Sequence, residues 1–176
     1  MKSANYWIKK LHLIDHPEGG YYREIYRAAE SIPKRALPSR YAGSRAFSTS
    51  IFFLLKSGQV SHFHLLKSDE VWHFYDGSPL LFHVFEETGK YRRFGLGRNP
   101  EAGETLQAVL RRGAWFGAEV LRPQSFTLSG CTVAPGFDFS DFEFGRREKL
   151  LALFPRHRTL IEKLSIPKLP IGFFLL

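Results

Sequence analysis

The sequence predicts an all-β domain, and three observations support this class. Aromatic residues make up 15% of the chain and include 17 Phe, a composition that suits half-buried pleated surfaces. From Phe47 onward, apolar side chains recur at every second position, which is the period of a strand with one buried face. Such segments follow one another at intervals of roughly 8–12 residues, with Gly or Pro between most of them. About eight strands without a long helix among them is the number found in a jelly roll.

The individual elements follow from the same periodicity. A short amphipathic helix is expected over Asn5–Leu13, and a surface loop over Arg27–Ser44. Helical spacing returns after Gly145, where two short helices would bury Leu150, Leu151, Leu153, Phe154, Leu160, Ile161 and Leu164. The strands are predicted at Phe47–Leu55, Val60–Leu65, Val71–Tyr75, Leu80–Phe85, Tyr91–Leu96, Thr105–Leu110, Trp115–Val120 and Ser125–Val133.

The length of 176 residues fits a single domain. Residues 1–45 form an N-terminal helix and loop in this prediction, residues 46–144 the β-barrel core, and residues 145–176 the C-terminal helices and an apolar tail. We expect the tail, residues 166–176, to pack against its own domain or a partner subunit. A docking segment for another protein is the alternative.

The net charge of +8 does not by itself indicate a nucleic-acid partner. Residues 1–45 and 146–176 each carry a net charge of +5, whereas residues 46–145 carry −2 and contain no recognition helix or RNP-type motif. No apolar stretch is long enough to span a bilayer, and the N-terminus does not resemble a signal peptide. Cys131 is the single cysteine, so no intrachain disulfide can form. We therefore expect a cytoplasmic protein that binds neither nucleic acid nor membrane.

The segment with the clearest chemistry contains His62, His64 and Glu70. Two positions apart on a strand, the two imidazoles should project from the same face. A turn and a second strand that begins with Glu70 would bring this carboxylate beside them. Such a trio can hold one divalent iron, manganese, nickel or zinc ion with open positions for substrate. Without a metal, the same side chains could perform acid–base catalysis.

This segment resembles the first motif of the cupin superfamily, in which Gly, H-x-H, Glu and a further Gly follow one another. The strings HPEGGYYRE, SDEVWHFYDGSPL and GCTVAPGFDFSDFE are similar to a cupin family found in bacteria and fungi, over about residues 13–164. The resemblance implies a jelly-roll barrel (a double-stranded β-helix) that is usually dimeric and has a pocket inside. In the second cupin motif a His supplies another metal ligand, but here Phe116 stands at that position. A three-ligand metal site remains open, while the apolar Phe116 favours an organic ligand.

Further residues are candidates for binding a ligand. The paired glycines after His16 permit a tight turn, and Tyr22 and Arg23 then offer a phenol and a guanidinium. Asp138 and Glu143 lie in a stretch where aromatic and acidic residues alternate. Packing and exchange between subunits are the alternative roles of both segments. Two residues on predicted strands, Ser50 and Trp115, complete the set.

The remaining histidines and the cysteine have simpler interpretations. His73 should face away from Glu70 and serve packing, whereas His83 could point into the barrel as a replacement metal ligand or out to water. Cys131 is expected to be a small buried thiol rather than a nucleophile.

Three functions are compatible with these observations. The first is an enzyme acting on a small polar organic ligand such as a sugar or sugar nucleotide. By resemblance to the dTDP-sugar epimerases of rhamnose synthesis, it would use His64 as base and Tyr75 or Tyr22 as acid. The second is a metal-dependent isomerase or oxygenase with His62, His64 and Glu70 as ligands, and the third is a non-catalytic ligand-binding module. The first of these functions, the sugar-directed enzyme, requires no cofactor.

Overall fold

Two six-stranded sheets face each other across the core in the computed structural model, which describes residues 2–166. Three helices lie outside them: α1 (Ala4–Lys10), α2 (Arg147–Leu153) and α3 (Arg158–Leu164). The strands are β1 (Ile14–Asp15), β2 (Tyr21–Arg27), β3 (Ser31–Ile32), β4 (Arg45–Ala46), β5 (Thr49–Lys56), β6 (Val60–Leu66), β7 (Asp69–Gly77), β8 (Leu80–Phe85), β9 (Tyr91–Leu96), β10 (Glu104–Thr105), β11 (Gln107–Leu110), β12 (Trp115–Val120), β13 (Phe126–Ala134) and β14 (Phe142–Phe144).

Strands that are distant in the sequence are neighbours in both sheets. The order is β1-β2-β5-β13-β7-β11 in the first sheet and β10-β9-β8-β12-β6-β14 in the second. All of these pairs are antiparallel except β9 with β10. This arrangement confirms the all-β jelly-roll class that the alternating pattern predicts.

The main core lies between the sheets and consists of alternate residues of the strands. Phe53 and Trp72 of the first sheet pack against Phe82 and Phe116 of the second, and all four side chains are buried. Because successive side chains of a strand point to opposite faces, each of these strands also covers the outer surface of the barrel.

Two smaller clusters attach the helices to the outer faces. Trp7 and Ile8 of α1 pack against Leu54 and Leu128 of the first sheet. The α2 and α3 helices cover the second sheet, where Leu150, Ile161 and Leu164 pack with Phe63, Phe85 and Trp115. Of the seven apolar residues expected to be buried by these helices, Leu153 is an exception, because its side chain is exposed.

The predicted elements agree with this structure except at the ends of the chain. The eight strands expected between Phe47 and Val133 are present, with the one over Thr105–Leu110 interrupted at Leu106. The strands β1–β4 and β14 are not predicted, and the N-terminal helix ends at Lys10 rather than Leu13. The expected loop over Arg27–Ser44 contains the two-residue strand β3 and a 3-10 turn over Lys34–Ala36. The predicted apolar tail beyond Ile166 lies outside the described residues. Between residues 2 and 166, no helix is long enough to cross a membrane.

Replacing Leu150 by Ala should destabilise the protein because the side chain is fully buried between α2 and the barrel. We expect the free energy of unfolding to fall by roughly 2–5 kcal/mol, the usual cost of a Leu→Ala cavity. Leu153→Ala on the same helix is the matched control, since its exposed side chain should contribute within about 0.5 kcal/mol. Urea denaturation measures both variants, and equal losses would contradict this packing.

Candidate functional site

A cavity of about 460 Å³ opens at one end of the barrel. This volume is within the range of small-molecule sites, which is about 300–1,000 Å³. Its wall combines aromatic rings with a group of ionisable side chains. The lining residues are His16, Glu18, Tyr22, Glu24, Arg27, Thr49, Ile51, His64, Leu66, Glu70, Trp72, Cys131, Val133, Phe137, Asp138, Phe139 and Phe142.

The turn that precedes β2 carries two of the ionisable side chains into the barrel. Gly19 and Gly20 have φ angles of 108° and 80°, which glycine adopts without strain. A Cβ atom on Gly19 would lie 2.1 Å from the Val60 carbonyl oxygen, so only glycine lets the turn approach β6 this closely. The Glu18 carbonyl oxygen accepts the His62 amide at 2.8 Å, which fixes the turn on β6.

A β-bulge in β6 separates the two histidines of the H-x-H pair. Phe116 of β12 lies opposite His64, and Ala118 of β12 lies opposite Ser61. These positions are two residues apart on β12 but three residues apart on β6, so β6 has one extra residue between them. Ser61 and His64 consequently both contact Glu18 in the interior. The His62 imidazole bonds outside, with Nδ1 3.3 Å from the Leu164 carbonyl oxygen. The expectation that both imidazoles share a face is therefore wrong.

Glu18 and His64 form a buried hydrogen-bonded pair. His64 Nδ1 lies 2.7 Å from the His62 carbonyl oxygen, which can only accept, so this nitrogen carries a proton. His64 Nε2 lies 3.0 Å from Glu18 Oε2, and Ser61 donates to Glu18 Oε1 at 3.2 Å. Burial raises the pKa of Glu18 well above its usual value and lowers the pKa of His64 to about 4. Both shifts favour a neutral pair in which the Glu18 carboxylic acid donates to His64 Nε2.

Glu70 is a second buried carboxyl in the same cavity. Its Oε2 atom accepts from Trp72 Nε1 at 2.8 Å and from Cys131 Sγ at 3.0 Å. Burial raises the pKa of Glu70 to about 7, although these two hydrogen bonds partly oppose the shift. The other oxygen of Glu70, Oε1, has no hydrogen-bond partner in residues 2–166. Every fully shielded polar side-chain atom in these residues has a partner, so Oε1 is not fully shielded. Because Glu70 lines the cavity, this oxygen faces the cavity.

The outer wall of the cavity is anchored by a buried ion pair. Arg45 donates from Nε and Nη2 to the two carboxylate oxygens of Asp141, at 2.6 and 2.7 Å. Asp141 ends a short 3-10 turn, Phe139–Asp141, which brings Phe139 and Phe142 against the cavity. At the mouth, Arg27 is held by Glu24, with N–O distances of 3.0 and 2.6 Å, and donates to the Phe137 carbonyl oxygen.

Four of the predicted site residues line this cavity: Tyr22, His64, Glu70 and Asp138. The Asp138 carboxylate also caps the short turn, because its Oδ1 accepts from the Ser140 amide and hydroxyl. The cavity combines residues from four sequence segments, namely 16–27, 49–51, 64–72 and 131–142. The other predicted residues lie elsewhere.

The residues outside the cavity have structural contacts of their own. Tyr75 and Ser50 lie on the outer face of the first sheet, where Tyr75 is 46% exposed and Ser50 pairs with Thr132. Arg23 donates to the Leu11 carbonyl oxygen, and Glu143 forms an ion pair with Lys149. Trp115 belongs to the apolar cluster beneath α2 and α3. Strand alternation explains these positions, since Arg23, Ser50, Tyr75 and Glu143 lie on the face opposite to the cavity-lining residues of their strands. Trp115 likewise lies on the face opposite to its neighbour Phe116, which belongs to the main core.

The remaining histidines also lie outside the cavity. His73 contacts Gln107 and Thr132 on the outer face of the first sheet, as the alternation predicts. His83 lies on the outer face of the second sheet, where its two ring nitrogens contact Tyr91 and Glu119. The Phe116 ring packs on His64 at a centroid distance of 4.1 Å.

Sequence reasoning misses His16 and Glu18 as cavity residues, although it singles out the segment that contains them. The signal is the pair of glycines that follows, because such a turn inserts the preceding side chains into the barrel. Cys131, expected to be a buried thiol, is buried and also lines the cavity. Burial and the neighbouring Glu70 raise the pKa of its thiol well above the usual value, so it is no activated nucleophile.

The donor groups do not fit the metal site that the H-x-H…Glu pattern predicts. His62 lies on the other face of the bulge, and His64 Nε2 is bonded to Glu18. One oxygen of Glu70 is already used by Trp72 and Cys131. Within residues 2–166, no group of three or more His, Cys, Asp or Glu side chains is arranged to hold a metal ion.

The jelly roll with a polar cavity inside its barrel defines a cupin. The model of the family described as "Cupin superfamily (DUF985)" matches residues 5–145, and the chain therefore belongs to this family. No curated protein matches the chain.

Solved structures with the same fold come from several organisms. A crystal structure of a protein from Shewanella oneidensis is 40% identical, with a TM-score of 0.85, and the match covers 96% of this chain and 100% of that one. A hypothetical protein from Leishmania major is 36% identical, with a TM-score of 0.83 and coverage of 93% and 99%. Oxalate decarboxylase from Bacillus subtilis is 17% identical, with a TM-score of 0.53 over 88% of this chain and 37% of that one, so it shares the fold alone.

The buried state of Glu70 predicts a specific pH dependence of stability. Because the folded-state pKa is raised to about 7, ionising Glu70 disfavours the folded state as pH rises from its usual pKa near 4.5. The Glu70→Gln variant has no carboxyl group to ionise here. The difference between its free energy of unfolding and that of the wild type should therefore increase in favour of the variant by roughly 2–3 kcal/mol as pH rises from about 4.5 to about 8. Urea denaturation across this range measures the difference, and parallel stability curves would contradict the burial of an ionisable Glu70.

Proposed function

We propose that the chain is an enzyme that removes and returns a proton on a small, uncharged polar carbonyl compound, as in the epimerisation or isomerisation of a free sugar. The observation that carries this proposal is the free Oε1 of Glu70. It is a carboxyl oxygen directed into a cavity from a group whose pKa, about 7, suits a general base at neutral pH. Trp72 and Cys131 hold the other oxygen and thereby fix the orientation of the carboxyl group.

The Glu18–His64 pair supplies the second proton-transfer group in this proposal. One proton lies between Glu18 Oε2 and His64 Nε2, and the neutral state of both groups places it on Glu18. Glu70 takes the proton from the carbon next to the carbonyl group, and the Glu18–His64 pair delivers a proton to the resulting enolate. His64 itself is less suited to be the base, because both of its ring nitrogens are already hydrogen-bonded. Tyr22 lines the cavity and is the remaining candidate acid, whereas Tyr75 lies outside it.

The charges of the lining residues favour an uncharged sugar over a sugar nucleotide. Arg27 is the single Lys or Arg among the lining residues, and its guanidinium already donates to Glu24 and to the Phe137 carbonyl oxygen. Four carboxyl groups, those of Glu18, Glu24, Glu70 and Asp138, line the same cavity. A diphosphate would therefore meet acidic groups without a free cation to bind it.

Glu70→Gln should abolish proton exchange on the substrate, because Gln keeps the shape but accepts no proton. The test incubates free ketohexoses and a dTDP-linked keto-deoxyhexose with the protein in D₂O and follows the loss of the adjacent C–H signal by NMR. We expect exchange on a free sugar and a rate at least about 100-fold lower in Glu70→Gln. Glu143→Gln is the matched control, because this carboxylate lies outside the cavity.

Other results would favour the alternative functions. Exchange that persists in Glu70→Gln would contradict the role of Glu70. Saturable binding of a sugar without exchange would identify a non-catalytic ligand-binding module. About one equivalent of iron, manganese, nickel or zinc per purified chain, lost in His64→Ala, would establish the metal-dependent function instead.

A homodimer is also proposed, and the exposed edge of the first sheet supports it. β1 pairs with Tyr21 and Tyr22, and among residues 2–166 no strand pairs with the rest of β2 on that side. Ile25 and Tyr26 on this edge are exposed, at 50% and 55%, and the unpaired backbone groups of an edge strand are a template for a second copy. Sedimentation of the wild type should give twice the chain mass, and Ile25→Glu should sediment as a monomer; a monomeric wild type would contradict the proposal.

A further inference from the structure

His16 occupies a defined tautomeric state in the cavity wall. Its Nδ1 accepts the backbone N–H of Glu18 at 3.2 Å, and a ring nitrogen that accepts a hydrogen bond carries no proton. The Glu18 carboxyl lies further from this nitrogen, with Oε1 at 3.7 Å. Burial and the nearby His64 lower the pKa of His16 to about 3, so the ring is neutral and its one proton resides on Nε2.

The Nε2–H group of His16 is a donor without a partner in the described part of the chain. It makes no hydrogen bond to any of residues 2–166. Every fully shielded side-chain nitrogen or oxygen in this part of the chain has a partner, so His16 Nε2 is not fully shielded. Because His16 lines the cavity, the N–H group is reached from the cavity. A buried donor of this kind is an available hydrogen-bonding position for a ligand atom that accepts.

The orientation of this donor is fixed by its neighbours. The His16 ring lies edge-on to the rings of Tyr22 and Phe53, with centroid distances of 4.5 and 5.7 Å. The Glu18 amide holds the opposite side of the ring through Nδ1. A donor that is oriented before the ligand binds, in a wall that limits access of water, stabilises developing negative charge more effectively than a mobile one.

His16 and His64 are therefore complementary. His64 carries its proton on Nδ1 and uses Nε2 for the bond to Glu18, whereas His16 carries its proton on Nε2, towards the cavity. The free oxygen of Glu70 is a proton acceptor in the same cavity. A neutral imidazole donor together with a carboxylate base is the combination that removes a proton next to a carbonyl group.

We infer that His16 is a further catalytic residue, whose Nε2–H binds the carbonyl oxygen of the substrate and stabilises the enolate. The inference rests on the proposed function. When Glu70 takes the proton from carbon, the electron pair of the C–H bond moves into the new C–C double bond and the carbonyl π electrons move to oxygen. His16 donates a hydrogen bond to this oxygen throughout and transfers no proton. Return of a proton to carbon restores the carbonyl group, so no oxidant or reductant is needed.

The test compares two substitutions of His16 in the D₂O exchange assay with free ketohexoses. His16→Phe keeps a ring but has no donor, and we expect kcat to fall about 100-fold or more while KM changes less than about threefold. His16→Gln retains a side-chain N–H group and should recover at least about a tenth of the wild-type kcat. A purely structural role would not favour Gln over Phe. His73→Phe is the control, because His73 lies on the outer face of the first sheet.

The outcomes separate this inference from the function on which it rests. Exchange that is lost in Glu70→Gln but stays within about threefold of wild type in His16→Phe overturns the role of His16 and leaves the proposed function intact. Equal loss in folded His16→Phe and His16→Gln variants also overturns the donor role. If the wild type exchanges no proton on any of these compounds, both the proposed function and the inference are wrong.

Discussion

In β6, two successive residues, His62 and Phe63, lie between the positions that face Phe116 and Ala118 of β12. This bulge directs Ser61 and His64 into the barrel, where both bind Glu18, and it directs Phe63 into the apolar cluster beneath α2 and α3. A regular strand could satisfy only one of these requirements, because alternation would place Ser61 and Phe63 on one face. The pairing of the cavity groups and the attachment of the C-terminal helices thus depend on one extra residue.

The buried polar groups of the cavity are arranged so that they satisfy one another with few net charges. Glu18 and His64 share a proton, and Glu70 is held by the Trp72 indole and the Cys131 thiol. Such pairing is needed because an isolated buried charge would be costly. Among residues 2–166, the cavity-facing atoms without a hydrogen-bond partner include an oxygen of Glu70 and the Nε2–H of His16. These are the atoms through which the protein can act on a ligand.

Most of the fold could be predicted from the sequence, because alternation of apolar residues fixes both the class and the central strands. The site could be predicted only in part. Motif spacing indicates His64 and Glu70, and the segments around the paired glycines and the alternating aromatic and acidic residues indicate Tyr22 and Asp138. The expected role of His62 depends on regular alternation, which a bulge interrupts. Tyr75 and Trp115, by contrast, face outward through regular alternation, because their neighbours Phe74 and Phe116 belong to the main core. His16 and Glu18 enter the site through a contact between the turn and β6, and the paired glycines mark this turn without showing which strand it contacts.

The protonation states of His16 and His64 test the account of this cavity most directly. They can be measured by ¹⁵N NMR of the wild-type protein with labelled histidine, since protonated and unprotonated ring nitrogens have distinct chemical shifts. We predict that near neutral pH both rings are uncharged, with the proton on Nε2 in His16 and on Nδ1 in His64. A charged His64, or a proton on Nδ1 of His16, would contradict the arrangement of donors and acceptors on which the proposed chemistry depends.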